Sequence, residues 1–229
     1  MARLQWDLDG TRQFESGISN VVLFPMTGSV YGTGIAWSGV TGIDESPSGA
    51  DATDLYADDI KYATLRSAEK FDFTISAYHY PDEWGACDGS AEAATGVYLG
   101  QQSRKAFGLV YKTKIGDDTS PGMDAGYKLH IIYNSTASPS GRSYATINEN
   151  PDAITMSWSA SSTPTQVGNG TQYKACSTIV IDSTKTTTAK LTALEDKLFG
   201  SDGSGSGGTD SQLPSPQEII TMMSSGGGN

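Results

Sequence analysis

Phe107-Gly-Leu-Val-Tyr-Lys-Thr-Lys-Ile115 and Tyr127-Lys-Leu-His-Ile-Ile-Tyr133 decide the fold class. In the first, Leu109, Tyr111, Thr113 and Ile115 alternate with Val110, Lys112 and Lys114; in the second, Tyr127, Leu129, Ile131 and Tyr133 share a face. Side chains of a strand point to opposite faces with period two, so both stretches predict strands that cover a core on one side. No acid, base or metal ligand gathers around them. The pattern describes a β-scaffold.

Working outward, the same signals recur. Ile18 to Phe24 is a short apolar run stopped by Pro25, a first strand. Gly34 to Ile43 alternates around Ile35, Trp37 and Val40, and its glycines suggest a bend or bulge. Ile60 to Leu65, Phe71 to Tyr78 (Phe71, Phe73, Ile75 and Ala77 inward), Tyr144 to Ile147, Ile154 to Trp158 and Thr178 to Ile181 read as further strands. Cys87 to Gly96 is small and polar, a helical turn or loop. Gly116 to Gly126 and the Asn169-Gly170 pair mark turns. Between the second and third strands, Glu45 to Asp59 is acidic, rich in turn residues and has little to bury. Long ordered loops of this kind usually serve binding.

One helix stands out. Thr188 to Phe199 places Leu191, Leu194 and Leu198 at i, i+3 and i+7, with Gly200 where a C-terminal cap belongs. Beyond it, Ser201 to Gly208 has flexible-linker composition, and Leu213 to Met223 is an apolar patch, either a frayed end or an arm that reaches a neighbouring subunit. The predicted organisation is an N-terminal arm over 1–17, a β-domain over 18–200 with its helix at 186–199, and a linker with a C-terminal arm over 201–229.

A chain of 229 residues suits one domain with extensions. Its formal charge of -11 is uneven: residues 1–100 hold 15 Asp and Glu against 5 Lys and Arg, whereas residues 101–229 hold 11 against 10. Such a field repels phosphates, which argues against gripping nucleic acid; it serves solubility alone or marks a surface that nucleic acid passes without sticking. Neither end carries a targeting segment and no apolar run reaches membrane-spanning length, so cytosolic synthesis without a membrane anchor is expected. Cys87 and Cys176 read as free thiols, and the glycosylation sequons at Asn134 and Asn169 as incidental.

Catalytic chemistry is not visible. His79 and His130 have no Cys, His or carboxylate at metal-ligand spacing. Gly32-Thr-Gly34 has Trp37 where a dinucleotide fingerprint needs its third glycine. Asp51, Asp54, Asp58 and Asp59 lack EF-hand spacing and its central glycine. Neither a phosphate-binding loop nor a nucleophile elbow is present. No catalytic residue, metal or cofactor is assigned.

Leu55-Tyr-Ala-Asp-Asp-Ile-Lys-Tyr62, Ser67-Ala-Glu69, Ala77-Tyr-His-Tyr-Pro-Asp-Glu-Trp84, Cys87-Asp-Gly-Ser90, Gly100-Gln-Gln102, Arg104-Lys-Ala-Phe-Gly108, Tyr127-Lys-Leu-His130 and Ile181-Asp-Ser-Thr-Lys185 follow one another in order. Together, over about residues 15–200, they resemble the major tail proteins, or tail tube proteins, of long non-contractile-tailed bacteriophages and related prophages. The resemblance implies a β-sandwich or barrel-like core with one flanking α-helix, assembled into hexameric rings that stack into a tube carrying DNA. It places an inter-ring loop at Glu45, Ser46, Pro47, Asp51, Asp54, Leu55, Tyr56, Asp58 and Asp59. It places C-terminal arm contacts at Leu213, Ile219, Ile220, Met222 and Met223. Implied partners are further copies of the chain and other tail proteins such as the tape measure, terminator and distal tail protein, with DNA passing unbound. The implied location is the virion tail, assembled in the host cytoplasm. Two other readings stay open: a β-sandwich that binds a receptor or glycan, and another ring-former such as a tail terminator or secretion-tube protein.

Overall fold

A computed structural model describes residues 3–119, 125–147, 153–169, 172–202 and 207–224. The protein is mainly β and its sheets are antiparallel. The first half supplies β1 (Gln13–Thr27), the short β2 (Val30–Tyr31) and β3 (Ile35–Ala36), β4 (Val40–Gly49), β5 (Ala52–Ala57), β6 (Ile60–Arg66) and β7 (Glu69–Ala77). A short helix α1 (Trp84–Asp88) and a small hairpin, β8 (Ala91–Ala94) with β9 (Val97–Leu99), lead to β10 (Phe107–Asp117) and β11 (Gly126–Ala137). β12 (Met156–Ser162), β13 (Thr178–Asp182), α2 (Thr188–Phe199) and α3 (Pro216–Ser224) complete the chain.

The main sheet runs β2-β1-β10-β11-β12-β7-β4, with β13 also on β11 and β3 also on β1. β11 joins two layers. Its first part pairs with β13 (Lys128 opposite Asp182), and its last residues pair with β12 (Ser135 opposite Ser162). The sandwich core between the layers is aromatic. Trp37, Trp84 and Trp158 meet with ring centroids 4.7–5.8 Å apart, joined by Phe73, Phe107, Ile75 and Leu109. Such tilted and edge-on packing is the arrangement that ring quadrupoles favour. The Trp37 indole N–H donates to the His79 carbonyl at 2.8 Å, so this buried polar tip is satisfied.

Both faces of β1, β10 and β11 are covered, which corrects the one-sided reading of the two defining strands. Leu109 and Tyr111 face the sandwich core, whereas Val110 faces a second core with Val22, Phe24, Leu129, Ile131 and Tyr133. That second core is closed by Leu191, Leu194 and Leu198 of α2 and by Leu213 and Ile219. The architecture is therefore three-layered: helices, sheet, sheet. A doubly buried strand reads as a continuous apolar run, and every residue from Phe107 to Tyr111 is buried.

Two bulges on β1 bring four successive apolar residues into these cores. The pairing with β10 shifts after Ser16 and again after Ser19, beside Gly17 (φ 69°) and Asn20 (φ 51°). A left-handed residue in one strand is how an extra residue enters a ladder, and it adds twist. Val21, Val22, Leu23 and Phe24 follow, all buried. β1 already begins at Gln13, so the N-terminal arm is shorter than the expected 1–17.

Three further expectations are revised. Gly34 to Ile43 is divided into β3 and β4 by a turn at Gly39 (φ 87°). Cys87 to Gly96 contains the end of α1, β8 and the turn that leads to β9. Tyr144 to Ile147 forms no strand, and Ile147 is 87% exposed. Of the predicted turns and linker, residues 120–124, 170 and 203–206 lie outside the described residues.

Candidate assembly surfaces

Glu45 to Asp59 is not a loop. Residues through Gly49 belong to β4, paired with β7 so that Glu45 faces Phe73 and Pro47 faces Phe71. The register at Gly49 opposite Glu69 continues as Ala52 opposite Arg66, so β4–β5 and β6–β7 form one long hairpin whose outer half leaves the body. The junction is held where Ser67 N–H donates to the Asp51 carbonyl and Asp51 N–H to Ser67 Oγ, both at 3.0 Å. Beyond it the β5–β6 ribbon pairs only with itself. Asp54 accepts from Thr64 at 2.7 Å and pairs with Lys61 at 2.8 Å across the ribbon. Asp58 and Asp59 form the tip with φ of 52° and 60°, the left-handed pair a two-residue turn of type I′ requires. Leu55, Tyr56 (71% exposed), Ile60, Tyr62 (74% exposed) and Leu65 stand in solvent along it. An isolated two-stranded ribbon is marginal in water, and apolar side chains concentrated on one mark an interaction site.

A second exposed element escaped the sequence reading. On β9, Val97, Tyr98 and Leu99 are all exposed, and the hairpin pairs with nothing else. At the N-terminus Leu4, Trp6 (74% exposed) and Leu8 are uncovered. The segment is tethered just after them, where Gly10 N–H donates to Asp118 at 2.9 Å and Arg12 pairs with Asp118 at 3.4 Å.

The outward face of the β4–β7–β12 layer is different in kind. Trp158 opposite Ile75 and Ala160 opposite Phe73 point into the core. The alternating partners therefore point away: Ser157 with Ser76, Ser159 with Thr74, Ser161 with Asp72 and, on β4, Asp44 with Thr74 and Ser46 with Asp72. This surface carries small hydroxyls and carboxylates, with Lys70 only at its margin, opposite Ser48. β4 ends the sheet order, which leaves a ten-residue edge free to template another strand.

A charged network crosses one side of β10 and β11. The Tyr111 hydroxyl donates to Glu45 at 2.5 Å, the His130 ring stacks on Tyr111 with centroids 4.6 Å apart, and His130 Nε2 lies 3.0 Å from Thr113 Oγ1 and 3.4 Å from Glu15. Lys128 pairs with Glu15 at 2.5 Å. Burial holds His130 below its ordinary value of 6.5, against the opposing pull of Glu45 and Glu15. Glu15 is pushed up by desolvation, but hydrogen bonds from Lys128 and Thr113 outweigh this and hold it below 4.5. Both groups bind protons more weakly folded than unfolded. Their stabilisation is thus present at neutral pH and lost on acidification, His130 below about 6.5 and Glu15 below about 4.5. His130→Gln, which keeps a polar partner for Thr113 without titrating, is expected to flatten the fall of the urea midpoint between pH 7 and 5. An unchanged slope would assign that fall to other groups. Cys87 is buried and its thiol is pushed up to about 12 by desolvation, so it is no nucleophile at neutral pH.

The predicted C-terminal contacts are not free. Leu213 and Ile219 are buried in the second core of the same chain, and Ile220, Met222 and Met223 are half-buried. α3 is a second flanking helix where one was expected. It starts with a capping box: Ser215 N–H donates to Glu218 at 2.8 Å and Glu218 N–H to Ser215 Oγ at 3.3 Å, with Pro216 at the first helical position. Among the described residues no group of three or more His, Cys, Asp or Glu could hold a metal ion, and no helix is long and apolar enough to cross a membrane.

Fold and surfaces together define a mainly β, antiparallel protein whose unusual features are projections and a polar sheet face. No family model matches the chain, and no curated protein is detectably similar to it.

Proposed function

We propose that the protein is a structural subunit of a bacteriophage tail tube, assembling into hexameric rings that stack around a channel for DNA. The observation that carries this reading is the outward face of β4–β7–β12. Asp44, Asp72 and a field of serines and threonines give a smooth, weakly acidic wall, and the edge of β4 is open to a neighbour's strand. A wall without arginines or lysines in its middle offers phosphates no anchor, so DNA slides along it. Closing like subunits around an axis removes the exposed edges. The β5–β6 ribbon, the β8–β9 hairpin and the N-terminal segment supply apolar contacts between copies. The resemblance in the ordered segments from Leu55 to Lys185 supports the same assignment.

Negative-stain microscopy of the purified full chain tests it. Stacked rings or tubes are expected as concentration rises. A chain that stays monomeric at all concentrations and binds a glycan would overturn the proposal in favour of a binding module.

A further inference from the structure

We infer that the acidic tip of the β5–β6 ribbon of one copy seats in a pocket around Arg104 at the opposite end of the next copy. The inference rests on the tube reading and names the residues that join successive rings.

The pocket has a volume of about 560 Å³ and is bounded by His79, Tyr80, Tyr98, Gln101, Arg104 and Arg142, between α1, the β8–β9 hairpin and the Pro139–Arg142 segment. Arg142 is already engaged: it pairs with Asp88 at 2.5 Å and lies over the Tyr80 ring at 5.4 Å. Arg104 is not. Among the described residues it has no ion pair, and its buried Nε–H has no acceptor. Asp82 and Asp88 also line the pocket, but neither pairs with it. Arg104 thus lines the pocket without a counter-ion, and the planar fork of a guanidinium fits a carboxylate two bonds at a time.

The ribbon tip presents that group. Asp54 is satisfied within the ribbon, whereas Asp58 and Asp59 have no ion pair or side-chain hydrogen bond among the described residues. The match extends past charge. Exposed Tyr56, Ile60 and Tyr62 flank the tip, and exposed Tyr98 lines the pocket. A charged pair ringed by aromatic contacts that exclude water is how interface energy is concentrated.

The placement makes the contact head-to-tail. The ribbon leaves the β4–β7 pair where Gly49 faces Glu69, and the pocket lies past the other end, where Val40 faces Ala77. The pocket end and the base of the ribbon are separated by the length of β4, roughly 30 Å at about 3.3 Å per residue, and the tip lies beyond β5. Tip and pocket belong to different patches, so the contact is heterologous and repeats without end when copies are displaced along the strands.

Charge reversal in the full chain tests this. Arg104→Glu alone and Asp58→Lys with Asp59→Lys are each expected to raise the concentration needed for stacking at least about tenfold, as reversing one partner of a desolvated pair does. The three changes together are expected to restore most of it. Thermal melts matching the wild type show that the monomers fold. In a Cys176→Ser background, Asp59→Cys with Gln101→Cys is expected to give a ladder of disulfide-linked multimers under mild oxidation, and neither cysteine alone should. If the wild type stacks and the reversals stack equally well without a ladder, the socket is wrong and the tube reading stands. If the wild type never stacks, both fall.

Discussion

A chain shortened to residues 1–207 is expected to lose most of its folding free energy. The removed segment is the lid of the second core. Leu213 and Ile219 are buried against Phe24, Val110 and Tyr133, and the buried Tyr133 hydroxyl donates to the Pro214 carbonyl at 3.0 Å. Ser211 meets Gly34 through its backbone and hydroxyl, Gln212 N–H donates to the Lys197 carbonyl at 2.7 Å, and the Lys190 ammonium caps the Met223 carbonyl. Losing two buried aliphatic side chains and leaving one buried hydroxyl unsatisfied costs on the order of 5–10 kcal/mol. A domain of this kind is stable by about 5–15 kcal/mol in total, so the shortened chain sits at the edge of unfolding at 25 °C. Urea titration followed by far-UV circular dichroism reads this directly. A midpoint equal to that of the full chain would mean that the segment only rests on the surface.

Point changes grade the same effect. A Cβ at Gly108 would lie 2.3 Å from the Leu213 side chain, and one at Gly34 would lie 2.6 Å from Ser211 Oγ and 2.7 Å from the Phe24 ring. Both glycines are thus seats for the returning chain, and space rather than φ requires them. Tyr31 lies along the same seam, where its hydroxyl accepts the Asn134 N–H at 2.9 Å.

What the sequence disclosed follows from how each element is supported. β7 and α2 were legible because each buries one face and exposes the other, so period two at Phe71–Ala77 and the leucine spacing at 191, 194 and 198 survive in the residues. β10 was legible as a strand but not as a two-sided one. Lys112 and Lys114 suggested an open face, yet Lys112 is engaged beneath α2, 2.8 Å from Glu195 and over the Tyr127 ring at 4.4 Å. β5 left no periodic signal because every one of its residues is exposed, Leu55 and Tyr56 included, and such an unsupported stretch between turn residues resembles a loop. α3 was legible in principle, since Ser215-Pro-Gln-Glu218 is a capping box, but the Gly/Ser stretch before it suggested that the chain had left the fold. Pairing of an acidic tip with Arg104 depends on which ends of β4 and β7 the two features occupy, which no local pattern records.

Replacing Ala52–Arg66 by a two-residue type I′ turn is expected to abolish stacking while leaving the monomer as stable as the wild type. The ribbon contributes nothing to either core: none of its residues belongs to them, and its pairing is internal. Its removal also shortens a connection, which slightly favours folding, so the thermal midpoint should move by less than about 4 °C, the shift of a 1 kcal/mol change in a domain this size. Assembly should respond without partial compensation. The ribbon carries Tyr56, Ile60 and Tyr62 together with Asp58 and Asp59, and truncating a single such anchor at an interface costs about 2 kcal/mol or more. Removing all of them takes away the acidic tip and its flanking apolar side chains along the strand axis, whereas lateral closure through the β4 edge is untouched. Isolated rings in negative stain, with no tubes at concentrations where the wild type forms them, is the expected picture. Tubes of normal length would show that stacking runs through the β8–β9 hairpin or the N-terminal segment, and loss of the rings themselves would place the ribbon between neighbours within a ring.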